Sequence, residues 1–169
     1  MSRIPLLFIF LLTALAAKGE ERVYKAPSEF IRSAFGGSIP RTSSLTLSKE
    51  AKDRAKAILQ HEYAGSRVRY WANGDRSVWI LEEIGKTLPI TTGFVVSRGK
   101  ITSVEILIYR ESHGWEVSKP FFTRQFQGAT LENGDALSKS VTNIAGATLS
   151  VRAVTKLSRL AIYFDSLIK

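Results

Sequence analysis

A few small residues around one hydroxyl form the part of the chain best suited to chemistry. Gly146, Ala147 and Thr148 end a loop and lead directly into the last predicted helix. The first N–H groups of a helix have no partner within it, and with the helix dipole they favour a phosphate. Thr148 offers an oxygen that can contact that phosphate or be bonded to it. The competing interpretation is a simple helix cap, made by Thr148 or Ser150.

A second group of polar residues lies between the predicted strands and this loop. Glu111, Ser112, His113 and Gly114 follow a strand and are followed by Trp115. Each has an ordinary interpretation: Glu111 as a surface carboxylate, His113 as a loop residue. The spacing of the Ser, His and acidic residues does not favour a hydrolase. His61 and His113 are the only histidines, and they lack the spacing of a metal site.

The amino-terminal sequence indicates that the protein is exported from the cytoplasm. Residues 6–17 are almost wholly apolar, follow Arg3 and end in small residues. This run is shorter than the roughly 20 apolar residues that span a membrane, so we expect a cleaved signal peptide over residues 1–17. An uncleaved membrane anchor is the alternative. After cleavage of the signal peptide, the mature chain would have no segment for stable membrane insertion.

Composition narrows the class of protein. The chain has no Cys, which excludes disulfides and thiolate metal sites, and an exported protein without disulfides is typical of a bacterial periplasm. The net charge is +9, of which only Arg3 is lost with the signal peptide. Nucleic acid is a poor partner for such a protein, whereas an acidic protein partner fits the charge.

The elements that position these residues predict an α+β fold in a single domain. We expect an N-terminal extension over residues 18–47 with one short helix from Pro27, and the main domain over 48–169. In that domain a helix is capped by Ser48, and a last helix starts near Ser150 with Tyr163 towards solvent. Four successive strands at 68–71, 77–84, 89–97 and 101–109, joined by short turns, imply an antiparallel sheet. Val104, Ile106 and Ile108 are expected on one face of the fourth strand.

Residues 144–150 resemble the flavinylation motif of the FMN-binding domain family. That family includes the C subunit of sodium-pumping NADH:quinone oxidoreductases and the G subunit of Rnf complexes. Thr148 matches the threonine to which a flavin transferase joins FMN through its phosphate. Two positions depart from the motif: Thr142 stands where the family has Asp, and Ala145 where it has Ser or Thr.

Two further elements extend this resemblance to about residues 86–155. Glu111, Ser112 and Gly114 match a Glu-Thr-Pro-Gly signature, in which His113 replaces the Pro. Residues 120–128 resemble the short helix that follows the signature. The resemblance implies that residues 111–114 line the flavin, that 145–147 approach its phosphate, and that Ser150 contacts it. Trp115 is the tryptophan best placed to stack on the ring.

The function implied by the resemblance is a periplasmic electron carrier, with covalent FMN on Thr148 and no substrate of its own. Its expected partners are the flavin transferase and membrane or periplasmic redox proteins. The alternative is a periplasmic module that binds FMN or another phosphorylated ligand non-covalently, or serves a structural role.

Overall fold

The chain forms a six-stranded antiparallel sheet in the order β1-β6-β5-β4-β3-β2. The computed structural model describes residues 21–169, so the predicted signal peptide lies outside the described residues. The strands are β1 Arg22–Val23, β2 Thr42–Thr46, β3 Arg67–Asn73, β4 Arg76–Ile84, β5 Pro89–Ser97 and β6 Lys100–Tyr109. The helices are α1 Pro27–Ala34, α2 Lys49–Leu59, α3 Pro120–Thr123 and α4 Thr148–Ser166. The predicted α+β class with one antiparallel sheet is confirmed.

The four predicted strands correspond to β3 to β6, and the other two were not predicted. β1 and β2 lie in the stretch for which we expected only a short helix and a loop. β2 pairs with β3 at the edge of the sheet, with Thr42 opposite Trp71 and Thr46 opposite Arg67. It completes the sheet on the side away from β6.

The expected single apolar face of β6 is wrong at Ile108. Val104 and Ile106 lie in the larger core as predicted. Thr91 and Thr92 are neighbours on β5, but they pair with Ile108 and Ile106, so β6 has one extra residue between them. This bulge reverses the alternation, and Ile108 packs in the smaller core on the opposite face.

Helices cover both faces of the sheet. α2 and α4 pack on one face and enclose the larger core. α1 closes the other face, where the ring of Phe30 lies so close to Gly93 that a Cβ there would be 2.5 Å from it. Gly93 is therefore required for α1 to dock.

The predicted helix starts are confirmed for α1 and α2 and corrected for α4. α1 begins at Pro27, and the Ser48 hydroxyl caps α2 by accepting the Ala51 N–H at 3.2 Å. α4 begins at Thr148, two residues before the expected start.

The apolar stripe of α4 faces the sheet as predicted, but Tyr163 does not face solvent. Its ring is buried, and the Arg54 guanidinium lies over it at 4.7 Å from the centroid. Burial along almost the whole inner length of α4 fixes the position of its first residue, Thr148.

None of the helices formed by residues 21–169 combines the length and apolar character needed to cross a membrane.

Candidate functional site

The first turn of α4 has no side-chain cap. Ala147 occupies the position before the helix, where an oxygen-bearing side chain is preferred, and it makes no capping bond. The predicted alternative, a cap made by Thr148 or Ser150, is therefore wrong. The first helical bond runs from the Val151 N–H to the Ala147 carbonyl at 2.9 Å.

This uncapped start leaves three backbone donors available. Within residues 21–169, the N–H groups of Thr148, Leu149 and Ser150 have no hydrogen-bond acceptor. Gly146, at φ 81°, turns the chain into the helix, and a Cβ there would have no neighbour within 4 Å. Gly146 and Ala145 are exposed, so the approach to these donors is open.

The Thr148 hydroxyl is half-buried and held in place by a residue that was not predicted. Asn143 Nδ2 donates a hydrogen bond to Thr148 Oγ1 at 3.0 Å. Because Asn143 is the donor, the hydroxyl proton of Thr148 is not used in this bond. The two residues are five positions apart, and their contact depends on the turn between them.

Thr148 lines a pocket with a volume of about 910 Å³. This is within the range of roughly 300–1,000 Å³ that is usual for cofactor sites. One face of α4 forms a wall, and the other lining residues are Gln60, the pair Ile84 and Gly85 at the end of β4, and four residues of the segment 136–143 before Asn143 together with Asn143 itself. Four of the lining residues are basic and none is acidic. The basic ones are Lys139, Arg152, Lys156 and Arg159.

Glu111 is a buried clamp for the loop that follows β4. Its Oε1 accepts the N–H groups of Lys86, Thr87 and Leu88 at 2.5, 2.6 and 2.9 Å, and its Oε2 accepts the Thr87 hydroxyl at 3.1 Å. Burial raises the pKa of Glu111, but the hydrogen bonds outweigh burial and the net pKa is lowered. The surface-carboxylate interpretation of Glu111 is therefore wrong.

The clamped loop borders the pocket through Gly85. A Cβ on Gly85 would lie 3.0 Å from Glu111 Oε1. Both carboxylate oxygens of Glu111 are bonded to the loop. Glu111 therefore supports this side of the pocket by holding the loop in place.

Gly114 packs directly against the start of α4. At φ 88°, its Cβ position lies 2.8 Å from the Tyr109 hydroxyl and 2.9 Å from Ser150 Oγ. Tyr109 donates its single proton to the His113 carbonyl at 2.5 Å, so it must accept from the Ser150 hydroxyl at 2.9 Å. Ser150 is buried in this network, and only its backbone N–H is left for a ligand.

Ser112 and His113 lie on the surface and do not line the pocket. Their side chains are joined by a 2.9 Å hydrogen bond between Ser112 Oγ and His113 Nδ1. Trp115 is also outside the pocket lining, 37% exposed, with Lys119 Nζ 5.0 Å from its ring centroid. The structure thus brings the signature loop against α4 through Gly114.

The described residues contain no group of three or more His, Asp or Glu side chains arranged to hold a metal ion. The site offers backbone N–H groups, hydroxyls and cations, which is the chemistry of an anion-binding site.

Residues 85–163 match the family model described as FMN-binding domain. The match begins at the clamped loop and ends in α4, so it contains both the signature residues and the Thr148 motif. None of the curated proteins matches the chain.

Proposed function

Because this chain belongs to the FMN-binding domain family and binds flavin through that domain, we propose that FMN is attached through its phosphate to Thr148. We propose further that the protein carries electrons in a bacterial periplasm. The proposal that FMN is attached at Thr148 rests on the uncapped start of α4, which offers three free N–H groups beside the Thr148 hydroxyl.

The residues at this position fit a phosphate ester. Backbone N–H groups at a helix start and the positive end of the helix dipole stabilise bound phosphate oxygens. Thr148 and Leu149 both line the pocket, so a group attached to Thr148 would lie beside it. The pocket's volume and its basic lining accommodate the rest of a negatively charged nucleotide.

Asn143 prepares the acceptor hydroxyl. Its side-chain amide donates a hydrogen bond to Thr148 Oγ1. The hydroxyl proton of Thr148 is not used in that bond, so it stays free for removal by the flavin transferase. In the transfer, the Thr148 O–H bond breaks and an Oγ1–P bond forms. The leaving group of the activated FMN donor departs as its bond to phosphorus breaks.

Bound FMN accepts and releases electrons, one or two at a time. The protein would hold the cofactor, and the Glu111 clamp would support the loop that borders its pocket. We propose an electron carrier rather than an enzyme with its own substrate. Its partners would be redox proteins, and the transferase would modify it once.

Denaturation separates covalent from non-covalent flavin. The protein is co-expressed with an active flavin transferase, denatured and filtered, and the flavin absorbance retained with the chain is measured. We expect full retention for wild type and Thr155→Ala, and loss for Thr148→Ala. Thr155 lines the same pocket on the same helix, but its hydroxyl is bonded to the Val151 carbonyl, so it is a matched control.

Flavin that denaturation releases from all three proteins would support the non-covalent alternative. Flavin retained by Thr148→Ala would contradict the attachment site.

A further inference from the structure

Three basic residues follow Thr148 along the pocket face of α4. Arg152, Lys156 and Arg159 lie four, eight and eleven positions after it and all line the pocket. At 3.6 residues per turn these spacings keep the side chains on one face of the helix. Lys139 adds a fourth cation from the segment opposite.

Within the described chain, no carboxylate neutralises these cations. Lys139 and Lys156 donate to the carbonyls of Gln127 and Leu59, at 2.5 and 2.6 Å. Arg159 donates to the carbonyl of Asp135, whose carboxylate is bonded to Arg54.

The buried carboxylate of Glu83 is also paired. Glu83 is bonded to His61 at 2.8 Å. The backbone bonds therefore fix Lys139, Lys156 and Arg159 in place, and the pocket keeps their charge.

The two farther cations lie too far along the helix to serve the phosphate. With a rise of 1.5 Å per residue, Lys156 and Arg159 are about 12 and 16 Å from Thr148 along the axis. A phosphate on Thr148 would be held at the helix start, and Arg152 is the cation nearest to it along α4. Lys156 and Arg159 would therefore act on a part of the ligand that extends along the pocket away from Thr148.

We propose that Lys156 and Arg159 raise the reduction potential of the flavin by stabilising the negative charge of its reduced ring. The proposal rests on the proposed attachment of FMN to Thr148. A neutral oxidised ring that takes two electrons from a redox protein, and one proton from water, gains one negative charge. Fixed cations stabilise that reduced form more than the oxidised one, and this difference is what a potential measures.

The test is a spectroelectrochemical titration of the FMN-loaded protein. Lys156→Gln and Arg159→Gln are each expected to reduce the preference for the reduced ring, which is the equilibrium constant for its two-electron reduction, about tenfold. A tenfold change lowers a two-electron potential by about 30 mV. Lys156→Arg keeps the charge and is expected to keep the potential. Arg41→Gln removes an equal charge from the exposed surface outside the pocket and is expected to change the preference less than twofold.

A measurement on wild type covers the case in which the Gln variants fail to fold. High salt screens the pocket cations, so the potential is expected to fall as ionic strength rises. Potentials that do not change with salt, or Gln variants that titrate like wild type while carrying FMN by mass, would overturn the role of the cations alone. A wild-type chain without added mass would instead overturn the attachment on which the proposal rests.

Discussion

At the scale of single residues, the hydrogen bond from Asn143 to Thr148 Oγ1 sets the orientation of the acceptor hydroxyl. One such bond contributes about 0.5–1.5 kcal/mol. We therefore expect Asn143→Ala to slow FMN addition by the transferase about two- to tenfold. Mass spectrometry of timed samples gives the rate. Asn133→Ala is the control, because Asn133 is exposed and lies outside the pocket lining.

Equal rates for Asn143→Ala and wild type would show that the transferase orients the hydroxyl without help from Asn143.

The contact of Gly114 with α4 can be tested through stability. Gly114→Ala places a Cβ within 3 Å of Tyr109 and Ser150 at a positive φ. Backbone strain and overpacking together are expected to cost about 2–4 kcal/mol of unfolding free energy. Gly99→Ala has a similar φ of 71° but no neighbour within 4 Å, so it should cost only the backbone part, about 1–2 kcal/mol.

Denaturant unfolding measures both variants. Equal losses in the two variants would mean that the start of α4 yields to the added methyl group, and that Gly114 does not fix its position.

At the scale of elements, the Glu111 clamp joins the end of β6 to the loop between β4 and β5. The lowered pKa of Glu111 means that its carboxylate stabilises the fold above the ordinary pKa of about 4.3. This contribution is lost as the pH falls through the lowered value. Glu111→Gln should cost roughly 1–3 kcal/mol at pH 7 and less as the pH falls.

The measurement is the unfolding free energy from pH 7 to pH 3. Glu132→Gln is the control, because Glu132 is exposed and its side chain makes no hydrogen bond in the described chain. A difference between wild type and Glu111→Gln that stays constant with pH would contradict the clamp by an ionised carboxylate.

Which elements the sequence could predict depended on their patterning. β3 to β6 have apolar alternation or apolar runs, and their turns carry Gly74 and Gly99. β2 has one apolar residue, Leu45, because it forms a sheet edge whose other side chains are exposed or half-buried. The bulge in β6 also has no local signal, since it arises from pairing with β5.

At the scale of the whole molecule, the site joins residues that lie far apart in the chain. The family motifs identified Thr148, Gly114 and Glu111 from the sequence alone. They did not reveal that Glu111 binds the loop at 86–88, more than 20 residues earlier, or that Asn143 holds Thr148. These contacts form only when the sheet and α4 have assembled, so their roles could not be assigned by position.

Export is a separate prediction about the whole chain. The apolar run at residues 6–17 should direct the protein out of a bacterial cytoplasm and be cleaved after Ala16 or Ala17. Fractionation followed by N-terminal sequencing checks this. Leu11→Arg, which breaks the apolar run, should keep the uncleaved chain in the cytoplasm. A wild-type chain that stays uncleaved in the membrane fraction would favour an anchor instead.

The attachment of FMN to Thr148 is tested most directly by peptide mass spectrometry after co-expression with a flavin transferase shown to be active on another acceptor. Trypsin cleaves after Lys139 and Arg152, so Thr148 lies in the peptide of residues 140–152. That peptide should gain the mass of one FMN less one water, with the fragment ions placing it on Thr148. An unmodified peptide, or added mass on Thr142 or Ser150, would contradict the attachment.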